Sequence, residues 1–353
     1  MTRVKKFLKI VLLIVLALVL IAALFLGYLT LREYRPADVE PQPVRGSGGL
    51  PVSAGEELSV VTWNVGYCGL GKYSDFVMDG GGNAPVPDEA QVQAYASGIR
   101  RTLEEQNPDF CILQEVDRNS SRSYSCDERD LFTIGEDSFA LNYSCDFVPF
   151  PWPPIAKVHS GVFTTTVHDI SAAERISLPC PFSWPLRIAN LKRCMLVSHV
   201  PVAGSDAELC LVNFHLEAYD SGEGKILQTR QLMDFIESEY SKGNYVIAGG
   251  DWNQTFPDTT QKYPNTHADI WAVGDLEYDM LEEGWQLVFD DSVPTCRLLN
   301  QPYDPADKVN TQYYVIDGFV VSPNVAVNSV NTVPVDFENS DHNPVRMSFT
   351  LEK

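Results

Sequence analysis

Six apolar runs in this 353-residue chain end in polar residues that a buried core does not need. They are Asn64 in "TWNV", Glu115 in "LQEVD", His215 in "NFHLE", Asp251 and Asn253 in "GGDWN", Asp317 in "VIDGF", and Asp341 with His342 in "SDHNP". Alternate residues of a strand share a face, so Asp251 and Asn253 are expected to aim at one place. Each residue alone has a bland explanation, since Asp and Asn start turns and a lone His beside an apolar run is more often structural. Together they bring carboxylates, amides and two imidazoles to the ends of successive strands. Carboxylates do not crowd without a cation to offset their repulsion. Oxygen donors of this kind suit Mg²⁺, with Mn²⁺ or Ca²⁺ as alternatives. The histidines can stabilise a charged oxygen or move protons near neutral pH. No cysteine spacing reads as a zinc site. The set fits hydrolysis of a phosphate ester better than of a peptide bond, because a bound metal offsets phosphate charge and activates water.

The elements that must carry these residues alternate along the chain. Apolar strands are expected at "LSVVTWNV", "DFCILQEV", "SGVFTTT", "NYVIAGGDWN", "YYVIDGFVVS" and "VRMSFTL", and a hairpin at "RCMLVSHVPV" and "ELCLVNFHLE" around the turn "AGSD". Helical spacing places Val92, Tyr95, Ala96, Ile99 and Leu103 on one face, with Asp88 as cap and Pro108 as stop. A second helix carries Ile226, Met233, Ile236 and Tyr240 on one face and ends at Gly243. Hairpins mixed with crossover helices imply two packed sheets with helices outside. Within "IAGGDWNQ", Trp252 points away from the two oxygen donors and is expected in the core, while Gly249 and Gly250 allow close approach of neighbouring backbone.

Charge and composition narrow the partners. The net charge of −21 argues against an electrostatic clamp on nucleic acid, which needs a basic stripe. Arg3, Lys5, Lys6 and Lys9 precede a charge-free apolar run from Ile10 to Leu29, long enough to cross a bilayer as a helix. Basic residues ahead of the span put the N-terminus in the cytoplasm and the rest outside. The division read from this is a basic tail at 1–9, a transmembrane signal anchor at 10–30, a Pro/Gly/Ser-rich linker at 31–57 and one catalytic domain at 58–353. Secretion after cleavage of a signal peptide is the alternative. Eight cysteines in an exported chain permit disulfides. Cys111 and Cys210 sit in apolar runs and read as buried hydrophobes, while Cys126, Cys145, Cys180 and Cys194 lie in loop-like regions and could pair.

The ordered series "WN", "QE", "HLE", "GDWN", "ID" and "SDHNPV" resembles the endonuclease/exonuclease/phosphatase superfamily, from about Leu58 to Leu351. The resemblance implies a four-layer α/β/β/α sandwich of two mixed sheets and a Mg²⁺-dependent phosphoesterase. It implies that Asn64 and Glu115 hold the metal with Asp341 nearby, and that Asp251 orients or deprotonates the attacking water. Asn253 and His215 would contact the phosphate, and His342, held by Asp317, would stabilise the pentacovalent phosphorane. Where many members carry a Ser-Arg pair, this chain has Thr165 and Thr166, which puts a substrate contact there in doubt. His159, His168, His199 and His267 match no motif and read as structural or exposed, and Arg230 reads as a structural ion pair. Two loops could read substrate: "GYCGLGKYSDFVMDGGG", and "DRNSSRSYS" with Arg122 and Tyr124. An Arg beside the metal could clamp a phosphate; solvated loops are the plain alternative.

The implied partners are a phosphate-ester substrate and, through the N-terminal helix, a lipid bilayer; no protein partner is implied. The ester could belong to nucleic acid, a phospholipid or sphingolipid head group, or a soluble metabolite. From another class of function, a binding module could keep the fold and lose catalysis. Such a module should have lost a ligand or the Asp317–His342 pair, and here every position is filled.

Overall fold

The computed structural model describes residues 2–82, 87–220, 222–277, 281–307 and 310–353, so the end of the glycine-rich loop at 83–85 lies outside it. Helix α1 (Thr2–Leu31) leads to strands β1 (Val39–Pro41) and β2 (Glu57–Asn64). The middle holds α2 (Glu89–Gln106), β3 (Phe110–Asp117), α3 (Glu128–Phe132), β4 (Glu136–Val148), β5 (Ala156–Thr166), β6 (Ala172–Ser177), β7 (Cys194–Pro201) and β8 (Glu208–His215). Then come α4 (Glu223–Ser241), β9 (Tyr245–Asp251), β10 (Gln254–Thr255), α5 (Thr259–Lys262), β11 (Gly274–Asp275) and β12 (Gln286–Val288). The chain closes with β13 (Cys296–Arg297), β14 (Tyr313–Tyr314), β15 (Asp317–Val321), β16 (Val325–Thr332) and β17 (Val345–Leu351).

Two mixed sheets result. One has seven strands in the order β1-β6-β7-β8-β9-β15-β12, the other six in the order β16-β17-β2-β3-β5-β4. Each contains a parallel pair, β8 with β9 and β2 with β3, joined by a crossover that includes α4 and α2 respectively. The inner faces meet in one core, where Val60, Phe110, Ile112 and Met347 pack against Leu209, Leu211, Ile247 and Phe319. Outside, α2 lays Val92, Tyr95, Ala96, Ile99 and Leu103 on Val61, Trp63, Cys111 and Leu113, as the helical spacing requires. On the other side α4 lays Leu232, Met233 and Ile236 on Val197, Val212 and Val246. The layers therefore run helix, sheet, sheet, helix. Local signals act as expected: the Asp88 carboxylate accepts from the Gln91 amide at 2.8 Å, and Asn107 closes α2 in the left-handed region before Pro108.

Residues 31–57 are more than a spacer. β1 pairs antiparallel with β6, Arg45 bridges Asp137, and Val52 is buried while bridging Val202. Prolines and glycines suppress a repeating pattern without preventing isolated apolar residues such as Val52 from docking. The eight cysteines are all free, and Cys145 and Cys194 lie inside β4 and β7 rather than in loops. Helix α1 is long and apolar enough to span a membrane.

Candidate active site

The register of three neighbouring strands assembles half of the site. His215 stands opposite Asp251 across the β8–β9 ladder, and Asp251 stands opposite Asp317 across β9–β15. One row therefore holds an imidazole and two carboxylates. The close approach depends on glycines, because a Cβ on Gly250 would collide with the Phe214 carbonyl and one on Gly249 with the Phe319 ring. Trp252 is fully buried, donates from Nε1 to the Gly318 carbonyl at 3.2 Å and packs edge-on against Phe214. The strand ends at Asp251, so the alternation expected to align Asn253 does not continue. Asn253 turns into the left-handed region (φ 50°), its backbone amide donates to Asp251 Oδ1 at 2.9 Å, and its side-chain amide donates to the Leu216 carbonyl at 2.9 Å.

The six-stranded sheet supplies the other half. β3 bulges between Leu113 and Val116, and inside the bulge Glu115 adopts φ 55°. A bulge re-aims a side chain. Here Gln114 turns between the sheets while Glu115 stays half-exposed at their edge. Asn64, at the end of β2, donates to Glu115 at 3.1 Å and to Asp251 at 3.0 Å, while its oxygen accepts from the Gly66 amide at 3.0 Å. Its amide orientation is thus fixed by partners of opposite kind, and its oxygen is turned away from the carboxylates. Of the expected set Asn64, Glu115 and Asp341, the Asn64 nitrogen thus braces Glu115. His342 precedes β17, and its Nδ1 lies 2.9 Å from Asp317 Oδ2 across the gap between sheets.

Charge in this cleft is poorly compensated. Burial pushes the Asp251 carboxyl up to about 6, against the opposing pull of His342. Burial pushes Asp341 up to about 7, and nearby Glu115 adds to the rise. For His342, burial alone would favour the neutral ring, but Asp317, helped by Cys296, Asp341 and Asp251, outweighs it and holds the ring well above the ordinary imidazole value. His215 is the reverse: burial, then Arg193 and His342, keeps it neutral. Its Nε2 lies 3.4 Å from Asp251, and among the described residues its buried Nδ1 has no hydrogen-bond partner.

A divalent cation fits this donor set. Asp341 is buried and among the described residues receives only a long 3.4 Å hydrogen bond from Ser340, and it shares its surroundings with Glu115. Two carboxylates so placed call for a cation. Asp251, Asp317 and His342 form a cluster of ligand-type atoms, as do Cys296, Asp341 and His342. The first of these holds no Glu115 and shares only His342 with the second. The first cluster is already linked by the 2.9 Å Asp317–His342 contact.

The Endonuclease/Exonuclease/phosphatase family profile matches residues 61–342, from the strand of Asn64 to the His342 that completes the cleft. The chain belongs to the endonuclease/exonuclease/phosphatase family. This family consists of phosphoester hydrolases, and its enzymes typically use divalent metals. Solved structures with the same fold include an endonuclease/exonuclease/phosphatase from Beutenbergia cavernae DSM 12333 (19% identity, covering 84% of this chain and 72% of that one, TM-score 0.57). ANGEL2, a 2',3'-cyclic phosphatase, shares 13% identity over 89% of this chain and 99% of its own, with a TM-score of 0.54. TDP2 from D. rerio, complexed with a single-strand DNA product, shares 17% identity over 84% and 99%, with a TM-score of 0.51. No curated protein matches the chain in sequence.

The loops around this family site depart from expectation. Arg122 is not free to clamp a phosphate. It forms a fork to buried Asp117 at 2.9 and 2.8 Å and stacks 3.5 Å from the Tyr67 ring. Tyr124 donates to the Pro87 carbonyl at 3.1 Å, tying its loop to the start of α2. Arg122→Ala should therefore destabilise the fold by about 3–5 kcal/mol, because it strands the Asp117 charge. Arg122→Lys should recover part of this, since charge returns without the fork. Chemical denaturation midpoints measure both, and an unchanged midpoint in Arg122→Ala would refute the bracing role.

Thr165 and Thr166 are buried and hydrogen-bonded to the Glu136 and Asp109 carbonyls, at the end of β5 away from Glu115. His168 pairs with Asp109, His199 with Glu208, and His267 with Thr266, so none joins the site. His159 is half-buried on β5, where its backbone amide donates to Ser120. Arg230 is exposed and makes no ion pair among the described residues. Buried Arg193 was not foreseen: it lies 3.5 Å from Glu217 and donates to the His215 carbonyl at 3.4 Å. The glutamate of "HLE" was its sequence signal.

Proposed function

We propose that this protein is a membrane-anchored, Mg²⁺-dependent phosphoesterase in which water attacks phosphorus in line, with no covalent enzyme intermediate. The observation that carries the reading is the placement of Asp251 between neutral His215 and the charged Asp317–His342 pair, beside the carboxylates Glu115 and Asp341. Glu115 and Asp341 would hold the cation, which when bound offsets phosphate charge and makes its water more acidic. Asn64 keeps Glu115 and Asp251 apart and oriented. Asp251 accepts the proton of the attacking water. A carboxyl held near 6 is largely ionised at neutral pH yet more basic than an exposed one. His342 donates from Nε2 to the oxygen on which charge accumulates, and Asp317 fixes its ring. His215 offers its unpaired Nδ1 side to the phosphate, and Asn253 borders it through its remaining amide hydrogen.

The basic residues ahead of α1 favour a cytoplasmic N-terminus and an extracytoplasmic domain. TDP2 with its DNA product and ANGEL2 as a cyclic phosphatase support a phosphodiester or a related ester as substrate. Activity towards bis-(p-nitrophenyl) phosphate, plasmid DNA, sphingomyelin and inositol phosphates, each with Mg²⁺ and with chelator, tests the proposal. Metal-dependent turnover of at least one is expected, and none at all would leave a binding module. Mg²⁺ should also raise the melting temperature of the wild type, and Glu115→Gln should blunt that rise and increase the Mg²⁺ requirement roughly tenfold or more. Equal Mg²⁺ requirements in the two proteins would remove Glu115 from the metal site.

A further inference from the structure

The geometry points to a second contact with lipid: two aromatic loops beside the end of α1 rest in the outer surface of the bilayer and dock the catalytic domain on it. This rests on reading α1 as a membrane span. The first loop follows β4 and exposes Phe150 (57%) and Trp152 (81%); the second precedes β7 and exposes Trp184 (52%) and Leu186 (67%). Water-soluble surfaces seldom gather large apolar side chains in this way, whereas Trp and its neighbours are favoured where membrane meets water.

Continuity with the anchor identifies the occupant. Leu26 and Leu29 of α1 pack with Cys145, Val148, Val158 and Ile188 of the domain. The Phe25 ring meets the Phe147 ring at 5.8 Å. Tyr28 and Arg32 bond Asp146 at 2.8 and 2.9 Å, Trp184 donates to Thr30 at 3.2 Å, and Arg187 lies 2.8 Å from Glu33. The helix end is therefore locked to the end of β4, where the first loop begins, and to the second loop, rather than loosely tethered. Along β4 the contacts run backwards down the helix, from Asp146 beside Arg32 and Tyr28 to Phe147 beside Phe25. Phe150 and Trp152 lie further along that course. The charge-free run Ile10–Leu29 would be about 30 Å long as a helix, the thickness of the hydrocarbon core. Leu29 then falls at the outer boundary of the hydrocarbon, and Phe25 and whatever stands level with it lie about 6 Å inside it.

Both loops leave the catalytic edge. Asp117 pairs with Ser160, four residues from the Ala156 that pairs with Val148 at the lipid-facing end, and His215 lies one step past the Phe214–Met195 pair at the start of β7. At about 3.3 Å per residue, roughly 13 Å separates the level of Asp117 from that end. Docking therefore holds the cleft over the head-group layer, where a phosphate ester carried by the membrane would lie.

Tryptophan fluorescence can test this without interference from the anchor. All six tryptophans lie outside α1, and the other four (Trp63, Trp252, Trp271 and Trp285) are buried. Full-length protein is reconstituted in phosphatidylcholine vesicles in which half of the lipid carries brominated acyl chains. The wild type should be quenched, and Trp152→Phe with Trp184→Phe should reduce the quenching roughly twofold or more. Flotation with the vesicles scores anchorage separately. Protein that floats but is not quenched by bromine overturns the docking and leaves the anchor standing. Equal quenching in the double variant also overturns it, and protein that fails to float overturns both.

Discussion

Asp251→Asn should lower turnover on the order of ten-thousandfold at saturating Mg²⁺ while the fold persists. The carboxylate is buried between His215, Asn64 and the backbone amide of Asn253, at 3.4, 3.0 and 2.9 Å. Its carboxyl is pushed up to about 6 first by burial, so the folded protein holds this charge against its solvation preference. Removing the charge relieves that cost. The new amide keeps an acceptor towards Asn253 but meets the Asn64 amide donor to donor, which offsets part of the gain. The net expectation is a melting temperature near that of the wild type together with almost no proton acceptance from water. Steady-state kinetics and a thermal melt on the same preparation decide it. A loss below about tenfold would remove Asp251 from the role of base.

The second large effect belongs to the ring partner. Asp317→Asn should lower turnover on the order of a thousandfold at pH 8, with partial recovery as the pH is lowered. Burial disfavours the charged ring of His342, and Asp317, 2.9 Å from Nδ1, is the leading opposing influence. Without that carboxylate the imidazole pKa falls, so a lower pH is needed to keep the ring protonated. Recovery is bounded on the acid side, because Asp251 gains a proton near 6. The wild-type profile should stay flat on its basic side to higher pH than that of the variant. Profiles that superimpose after scaling would show that Asp317 acts by shape alone.

Much of this was legible before any coordinates because strand ends on one edge must converge. Asn64, Glu115, His215, Asp251, Asp317, Asp341 and His342 do meet, and the apolar face of α2 was readable from its spacing. What escaped depended on backbone geometry that residue types do not announce. "DRNSSRSYS" holds both Asp117 and Arg122, but no period folds the loop so that they meet, and nothing in "DFCILQEV" announces a bulge at Glu115. Val52 docks without a period to advertise it. The loops at Trp152 and Trp184 look like ordinary proline-rich connections until the end of α1 is placed beside them.

The turn of Gln114 into the space between the sheets has a mechanical meaning. Its amide nitrogen donates to Asn213 Oδ1 at 2.8 Å, and the Asn213 nitrogen donates to the Leu113 and Phe163 carbonyls at 3.1 and 2.9 Å, all within the buried core. Sliding one sheet over the other would break these bonds where no water can replace them. Asn64, Glu115, Asp341 and His342 travel with one sheet and His215, Asp251 and Asp317 with the other. The amide pair thus works as an indexing pin, holding two halves of a split die in alignment. Shear is denied to this domain, and any opening or closing around a ligand is left to the loops at its rim.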